Sequence, residues 1–223
     1  MIPPTPQARR AFILANTRLE RPPHAPELVL HLASEITPIW QMTEEALSEI
    51  GLPPPFWAFA WAGGQALARY ILDHPQLVAG KRVIDFAAGS GIVGVAAKRA
   101  GAARVLAADI DPFCGPAVAL NAEANGVEVE FTDRDLLEAP PPVSAEVILA
   151  GDICYEKPLA ERVMAWLKTA RCGGTTVLIG DPGRSYFPRQ GLTRLVEYQV
   201  PTTRELEDME VKKTAVWSLP GQG

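Results

Sequence analysis

Between residues 82 and 179 the chain repeats one pattern: a short apolar run, a turn, then a stretch whose apolar residues recur at helical spacing. The runs are Arg82-Val-Ile-Asp-Phe86, Arg104-Val-Leu-Ala-Ala108, Val127-Glu-Val-Glu-Phe131, Glu146-Val-Ile-Leu-Ala150 and Thr175-Thr-Val-Leu-Ile179. Helical stretches fall at about 64–72, 91–100, 112–125 and 156–170, the last with Leu159, Val163, Trp166 and Leu167 on one face. Parallel strands need long crossover connections, and those crossovers cover both faces of a sheet. The alternation therefore predicts an α/β fold around a parallel sheet. Leu192 to Val200 and Thr214 to Leu219 read as a closing antiparallel pair, joined by an acidic, helix-compatible segment at 203–209.

Proline marks where this pattern starts. Ten of the 21 prolines fall in the first 55 residues and none lies between Pro75 and Pro112. A proline inside a buried strand removes a ladder hydrogen bond, so the regular middle excludes it. Pro53-Pro54-Pro55 and Pro140-Pro141-Pro142 mark joints. The front, residues 1–55, reads as a helical extension with short helices at 5–16 and 38–50, Thr43 capping the second, and without strand signals. Residues 56–223 form the main domain. With 21 Lys plus Arg against 26 Asp plus Glu, the net charge of −5 gives no global field for DNA or RNA. Cys114, Cys154 and Cys172 form no metal or disulfide framework, and His24, His31 and His74 share no ligand spacing, so no metal is expected. The short apolar run Ala11 to Ala15 is neither a secretory nor a membrane segment, which leaves the cytoplasm as the expected compartment.

In an open α/β sheet the ligand sits past the carboxyl ends of the strands, where the winding reverses. The first strand-to-helix turn here is Asp85-Phe-Ala-Ala-Gly89-Ser-Gly91-Ile-Val-Gly94. Gly89 and Gly91 allow a tight turn and a close approach to a ligand, and the helix that follows offers free N–H groups. Asp109, at the end of the second run, is placed to accept hydrogen bonds from a ribose diol. Asp85 bears on the kind of nucleotide. A carboxylate in that loop repels a pyrophosphate but suits the ammonium and sulfonium of S-adenosylmethionine. Asp133 and Asp135 extend an acidic rim, with Asp135-Leu136 at the adenine edge. A nicotinamide-dependent oxidoreductase using NAD is the alternative from another class.

Val83-Ile-Asp85-Phe-Ala-Ala-Gly89-Ser-Gly91, Asp109-Ile-Asp111-Pro112 and Asp135-Leu136 resemble the successive motifs of class I S-adenosylmethionine-dependent methyltransferases. Ala87 stands where that family has its first loop glycine, a change of little consequence if φ there is negative. Gly151-Asp152-Ile-Cys-Tyr155 resembles the Asp-x-x-Tyr/Phe motif of seven-strand protein lysine methyltransferases. Together with residues 57–70 and Gly180-Asp181-Pro-Gly-Arg184, the likeness extends to the lysine methyltransferases of the electron transfer flavoprotein β subunit, with Ala62 in place of a usual proline. The resemblance implies a Rossmann-like, seven-stranded, mostly parallel sheet with an antiparallel last strand. It implies S-adenosylmethionine as donor, S-adenosylhomocysteine as product, and a protein acceptor: the flavoprotein β subunit or, as the nearest alternative, a ribosomal protein. Neither nucleic acid nor membrane is an expected partner, and a monomer is expected.

On this resemblance the cofactor meets Trp57, Asp85, Ala87, Gly89, Gly91, Asp109, Ile110, Asp135, Leu136 and Gly151. Asp152 and Tyr155 are the candidate catalytic pair. Trp57 and Trp61, four residues apart, fit core packing as well as a cofactor lid. Asp111 reads as a helix cap, and Asp181 to Arg184 as a turn within reach of substrate. The front segment is the expected substrate-recognition element.

Overall fold

A computed structural model describes residue 3 and residues 5–33, 54–188, 190–202 and 210–221. The expected helix at 38–50, its Thr43 cap, and segment 203–209 lie outside the described residues. In chain order the elements are α1 (Pro6–Asn16), β1 (Arg18–Glu20), β2 (Leu30–Leu32), α2 (Ala62–Asp73), β3 (Arg82–Phe86), α3 (Ile92–Arg99), β4 (Arg104–Ala108), α4 (Cys114–Ala124), β5 (Glu130–Thr132), β6 (Val147–Gly151), α5 (Lys157–Cys172), β7 (Thr176–Asp181), β8 (Thr193–Pro201) and β9 (Val211–Ser218).

Strands β3 to β9 make one sheet in the order β5-β4-β3-β6-β7-β9-β8. The first five are parallel. β9 is antiparallel to both β7 and β8, so it alone runs against the rest. The expected closing pair is thus a hairpin whose second strand inserts beside β7.

The strands' alternation sorts the core into two layers. Val83, Val105, Val147, Leu149 and Leu178 face α2 and α3. Ile84, Phe86, Ile148, Ala150, Val177 and Ile179 face α5, which presents Val163, Trp166 and Leu167. Burial on both faces explains why these strands read as continuous apolar runs.

The front segment differs from expectation. α1 matches the predicted first helix, with Thr5 Oγ1 accepting the Ala8 N–H. The expectation of no strands is corrected by β1 and β2, which pair antiparallel over three residues each. Runs so short carry no readable alternation. The segment is also built into the domain: Leu28, Leu30 and Leu32 are buried in the layer that holds α2 and α3. Asn121 of α4, fully buried, accepts the His31 N–H at 2.7 Å and donates to the Ser90 carbonyl at 2.8 Å. One side chain thereby ties the front segment to the glycine loop.

Helix α2 lies unusually close to the sheet. A Cβ on Gly180 would collide with the Gly63 carbonyl, and one on Gly151 would sit 3.0 Å from the Gly64 Cα. Backbone here touches backbone, which no rotamer change can relieve. Gly180→Ala is expected to destabilise the protein by about 1–3 kcal/mol, since overpacking must move α2. Chemical denaturation checks this, and an unchanged midpoint would show that α2 shifts freely.

Candidate active site

The crevice follows from strand register. Phe86, the last residue of β3, pairs with Ala108 of β4 and with Ala150 of β6. From β3 the chain steps through β4 to β5 on one side, then returns to place β6 on the other. The loops beyond these ends face one another at the point of reversal. They enclose a cavity of about 390 Å³, lined by Asp85, Gly89, Asp109, Ile110, Asp135 and Asp152 among others. That is within the range of small-molecule sites.

Asp85 is 1% exposed. Its Oδ2 accepts the Gly94 N–H at 2.8 Å, the third amide of α3. Burial pushes its carboxyl up to about 8; the Gly94 bond opposes the rise and the Asp109 charge adds to it. A pyrophosphate would need the amides at this helix start, one of which a carboxylate already occupies. A cation beside Asp85 would instead relieve its buried charge. The carboxylate thus favours a cationic nucleoside over a dinucleotide.

The loop itself runs in left-handed backbone at Ala87 (φ 54), Gly89 (φ 52) and Gly91 (φ 77). The premise of a negative φ at Ala87 is therefore corrected: its methyl group sits in a conformation costing an L-residue roughly 1–2 kcal/mol. A Cβ on Gly91 would approach Val118 to 2.9 Å, so glycine is required there for space as well as for φ. Asp109 braces the loop, Oδ2 accepting the Gly89 N–H at 2.9 Å and Oδ1 the Asp111 N–H at 3.0 Å. Asp111 accepts the Phe113 N–H at 2.8 Å and so closes the turn into α4. Ile110 projects, 69% exposed, at the cleft rim. Asp135 Oδ1 caps the 3-10 turn Leu136–Glu138 through the Leu137 N–H, and Leu136 lines the cavity.

On the β6 side, Gly151 and Asp152 follow the strand. Asp152 takes a left-handed φ of 57, which a short polar side chain tolerates. Its Oδ2 accepts the Gly64 N–H at 3.0 Å. Its Oδ1 accepts from Arg184 Nε at 3.0 Å and Nη2 at 2.7 Å. The helix α5 that follows is capped at Glu156, so Asp152 is not its cap. Tyr155, 45% exposed, stands 5.6 Å from Phe56 between ring centroids, and Phe56 stands 5.8 Å from Trp61. Asp181 is buried, with Oδ1 accepting the N–H groups of Gly183 and Arg184 at 2.6 and 2.8 Å; burial raises its carboxyl to about 7.

The structure separates the two tryptophans. Trp57 does not line the cavity: it is 1% exposed and stacks on Phe113 at 5.4 Å and 12°. This corrects the expectation that it meets the cofactor. A 3-10 turn at Phe56–Ala58 followed by extended Phe59 sends residues 57 and 61 to opposite sides. Trp61 lines the cavity, its Nε1 donating to the Phe56 carbonyl at 2.9 Å. Sequence reasoning missed Phe56, Arg134 and Arg162, which also line it. Arg162 offered a faint signal, since it lies beside Leu159 and Val163 on α5.

Comparison with known proteins settles the family. Residues 65–180 match the model of the ribosomal protein L11 methyltransferase family. The electron transfer flavoprotein beta subunit lysine methyltransferase of Xenopus laevis is 38% identical over 218 residues, covering 94% of this chain and 86% of that protein. The human protein of that name is 35% identical over 219 residues, 94% of this chain and 81% of its own. A ribosomal protein L11 methyltransferase of Aeromonas hydrophila is 47% identical, but over 86 residues, 39% of this chain and 29% of that one. The L11 likeness thus stops at the core, while the other includes the front segment and the closing hairpin. The chain belongs to the electron transfer flavoprotein β-subunit lysine methyltransferase family. It is a methyltransferase, and the donor of this class is S-adenosylmethionine. Magnesium protoporphyrin IX methyltransferase of Synechocystis, solved with that molecule bound, shares the fold at a TM-score of 0.51 and 14% identity, over 70% of this chain and 78% of that one.

The methyltransferase should show the cost of its buried acid. The folded state raises the Asp85 pKa above its usual value of 3.8, so its contribution is fully present below that value and is lost as pH rises towards about 8. Asp85→Asn, which cannot ionise, is therefore expected to gain thermal stability over wild type between pH 4 and 8 when no ligand is present. It should bind S-adenosylmethionine about 10–100-fold more weakly, the worth of a hydrogen bond or ion pair to a buried charge. Melting curves and calorimetry check both; equal pH profiles for the two proteins would contradict the assignment.

Proposed function

We propose that this methyltransferase transfers methyl groups to lysine side chains of the electron transfer flavoprotein β subunit. The observation that supports it most is Asp152: a largely buried carboxylate lining the same cavity as the rings of Trp61, Phe56 and Tyr155, on the opposite side of β3 from Asp109 and Asp135. The similarity over 94% of the chain to proteins of that name supports the choice of acceptor.

S-adenosylmethionine, when bound, supplies a methyl group on a positively charged sulfur, open to in-line attack by a neutral amine. In this reading Asp109 holds the ribose diol, Ile110, Asp135 and Leu136 the adenine, and Asp85 with the loop Ala87 to Gly91 the aminoacid end beside Gly151. Deprotonating a lysine at pH 7 costs about 4–5 kcal/mol from its reference pKa near 10.4. Asp152 docks the ammonium as counter-ion and then orients the remaining N–H bonds. Tyr155 and Trp61 form a partly dry wall that favours the neutral amine. Once paired with Asp152 at the cleft, the ammonium gives one proton to water, and the neutral amine then turns towards the methyl group, so no side chain is assigned as general base. Much of the acceleration is orientation.

In this reading the front segment, residues 1–55, recognises the protein substrate. Its exposed Leu19 on β1, 56% exposed, belongs to the recognising surface. The enzyme works as a monomer in the compartment of the flavoprotein, the cytoplasm in a bacterium; among the described residues no helix is long and apolar enough to cross a membrane.

One assay tests this reading. With tritiated S-adenosylmethionine and a bacterial lysate, a labelled band at the flavoprotein β-subunit mass is expected, and a labelled ribosomal protein would support the L11 alternative instead. Asp152→Asn keeps a residue that tolerates positive φ, so its fold and cofactor affinity should survive while labelling falls on the order of 10²-fold. Leu19→Ser should lower labelling at unchanged cofactor affinity. Full labelling by Asp152→Asn would remove it from the mechanism.

A further inference from the structure

The carboxylate assigned to the acceptor already holds a cation. Arg184 places two N–H donors on Oδ1 of Asp152, at 3.0 and 2.7 Å. Its guanidinium also lies over the Trp61 ring, 5.7 Å from the centroid. The two side chains are only 20% and 10% exposed. Oδ2 of the same carboxylate receives the Gly64 N–H, fixed by the start of α2. Oδ2 is also packed against the start of α2, where a Cβ on Gly63 would approach it to 2.5 Å, so an arriving ammonium meets Oδ1, the oxygen that Arg184 covers.

We infer that Arg184 is a resident stand-in for the acceptor lysine, a cation that neutralises Asp152 in the waiting enzyme and is displaced when the substrate side chain enters. The inference rests on the reading of Asp152 given above. The local build separates a fixed backbone from a movable side chain. Asp181 Oδ1 holds the N–H groups of both Gly183 and Arg184, so the loop stays in place. The guanidinium lines the cleft on a long side chain that is 20% exposed. Gly183 itself has φ 85 and open space around it, leaving room on that side of the loop.

A buried carboxylate left alone would be costly, so a stand-in keeps the site folded between turnovers. It also makes selection strict. A free amine has only its own charge with which to displace Arg184, whereas a protein substrate adds the binding energy of its surrounding surface. Arg184 is thus a positioning and selectivity residue that acts through Asp152.

The test compares wild type and Arg184→Gln on purified electron transfer flavoprotein and on free lysine. Wild type must first methylate the β subunit; if it does not, the functional reading itself fails and this inference with it. Given that activity, Arg184→Gln should lower KM for the flavoprotein about tenfold, the worth of one charged hydrogen bond no longer displaced, and should accept free lysine. A second measurement needs no variant activity. The Nε–H resonance of Arg184 in wild type, assigned by its loss in Arg184→Lys, should move when flavoprotein and S-adenosylhomocysteine are added together. An unchanged or raised KM, or a stationary resonance, would overturn the proposal and leave Arg184 a static partner.

Discussion

The site depends on two backbones meeting without side chains between them. Gly63 and Gly180 bring α2 against the end of β7, and Gly64 and Gly151 do the same at β6. Only at that distance does the Gly64 N–H reach Asp152, and only then does the carboxylate face the cleft with one oxygen fixed. A single methyl group at the contact would push the helix away and unseat the acid. The Gly-Gly pair that begins α2 and the glycines that end β6 and β7 are thus one device, spread over more than a hundred residues of sequence.

Charge follows from that geometry. Five carboxylates, Asp85, Asp109, Asp111, Asp135 and Asp152, line a small cavity, and each is tied to at least one backbone N–H group. Each such bond spares the acid some of the cost of burial and also fixes a loop. The acids therefore serve twice, as loop braces and as a field for a cationic donor and a cationic acceptor. The overall charge of −5 has its functional part here.

Much of this was legible in the sequence because it is periodic or local. Four of the five parallel strands announce themselves as apolar runs, whereas the edge strand expected at 127–131 is only Glu130–Thr132 and is not buried; the turn after β3 announces itself as a glycine pair behind an aspartate. The family followed from four blocks in a fixed order. What escaped was set by tertiary contact. Trp57 and Trp61 look alike in sequence, yet Trp57, inside the 3-10 turn Phe56–Ala58, packs on Phe113 while Trp61, beyond it, lines the cleft. The three-residue strands β1 and β2 are too short to show alternation. The sign of φ at Ala87 cannot be read from an alanine, and the partner of Asp152 is an arginine 32 residues away.

The central claim is that the acidic cleft, with Asp152 at its β6 side, methylates lysine on the electron transfer flavoprotein β subunit. Intact-mass spectrometry tests it most directly, using flavoprotein purified from cells that lack this enzyme. After incubation with the enzyme and S-adenosylmethionine, the β subunit should gain mass in whole methyl increments while its partner subunit stays unchanged. A β subunit of unaltered mass, with the enzyme folded and binding its donor, would contradict the account.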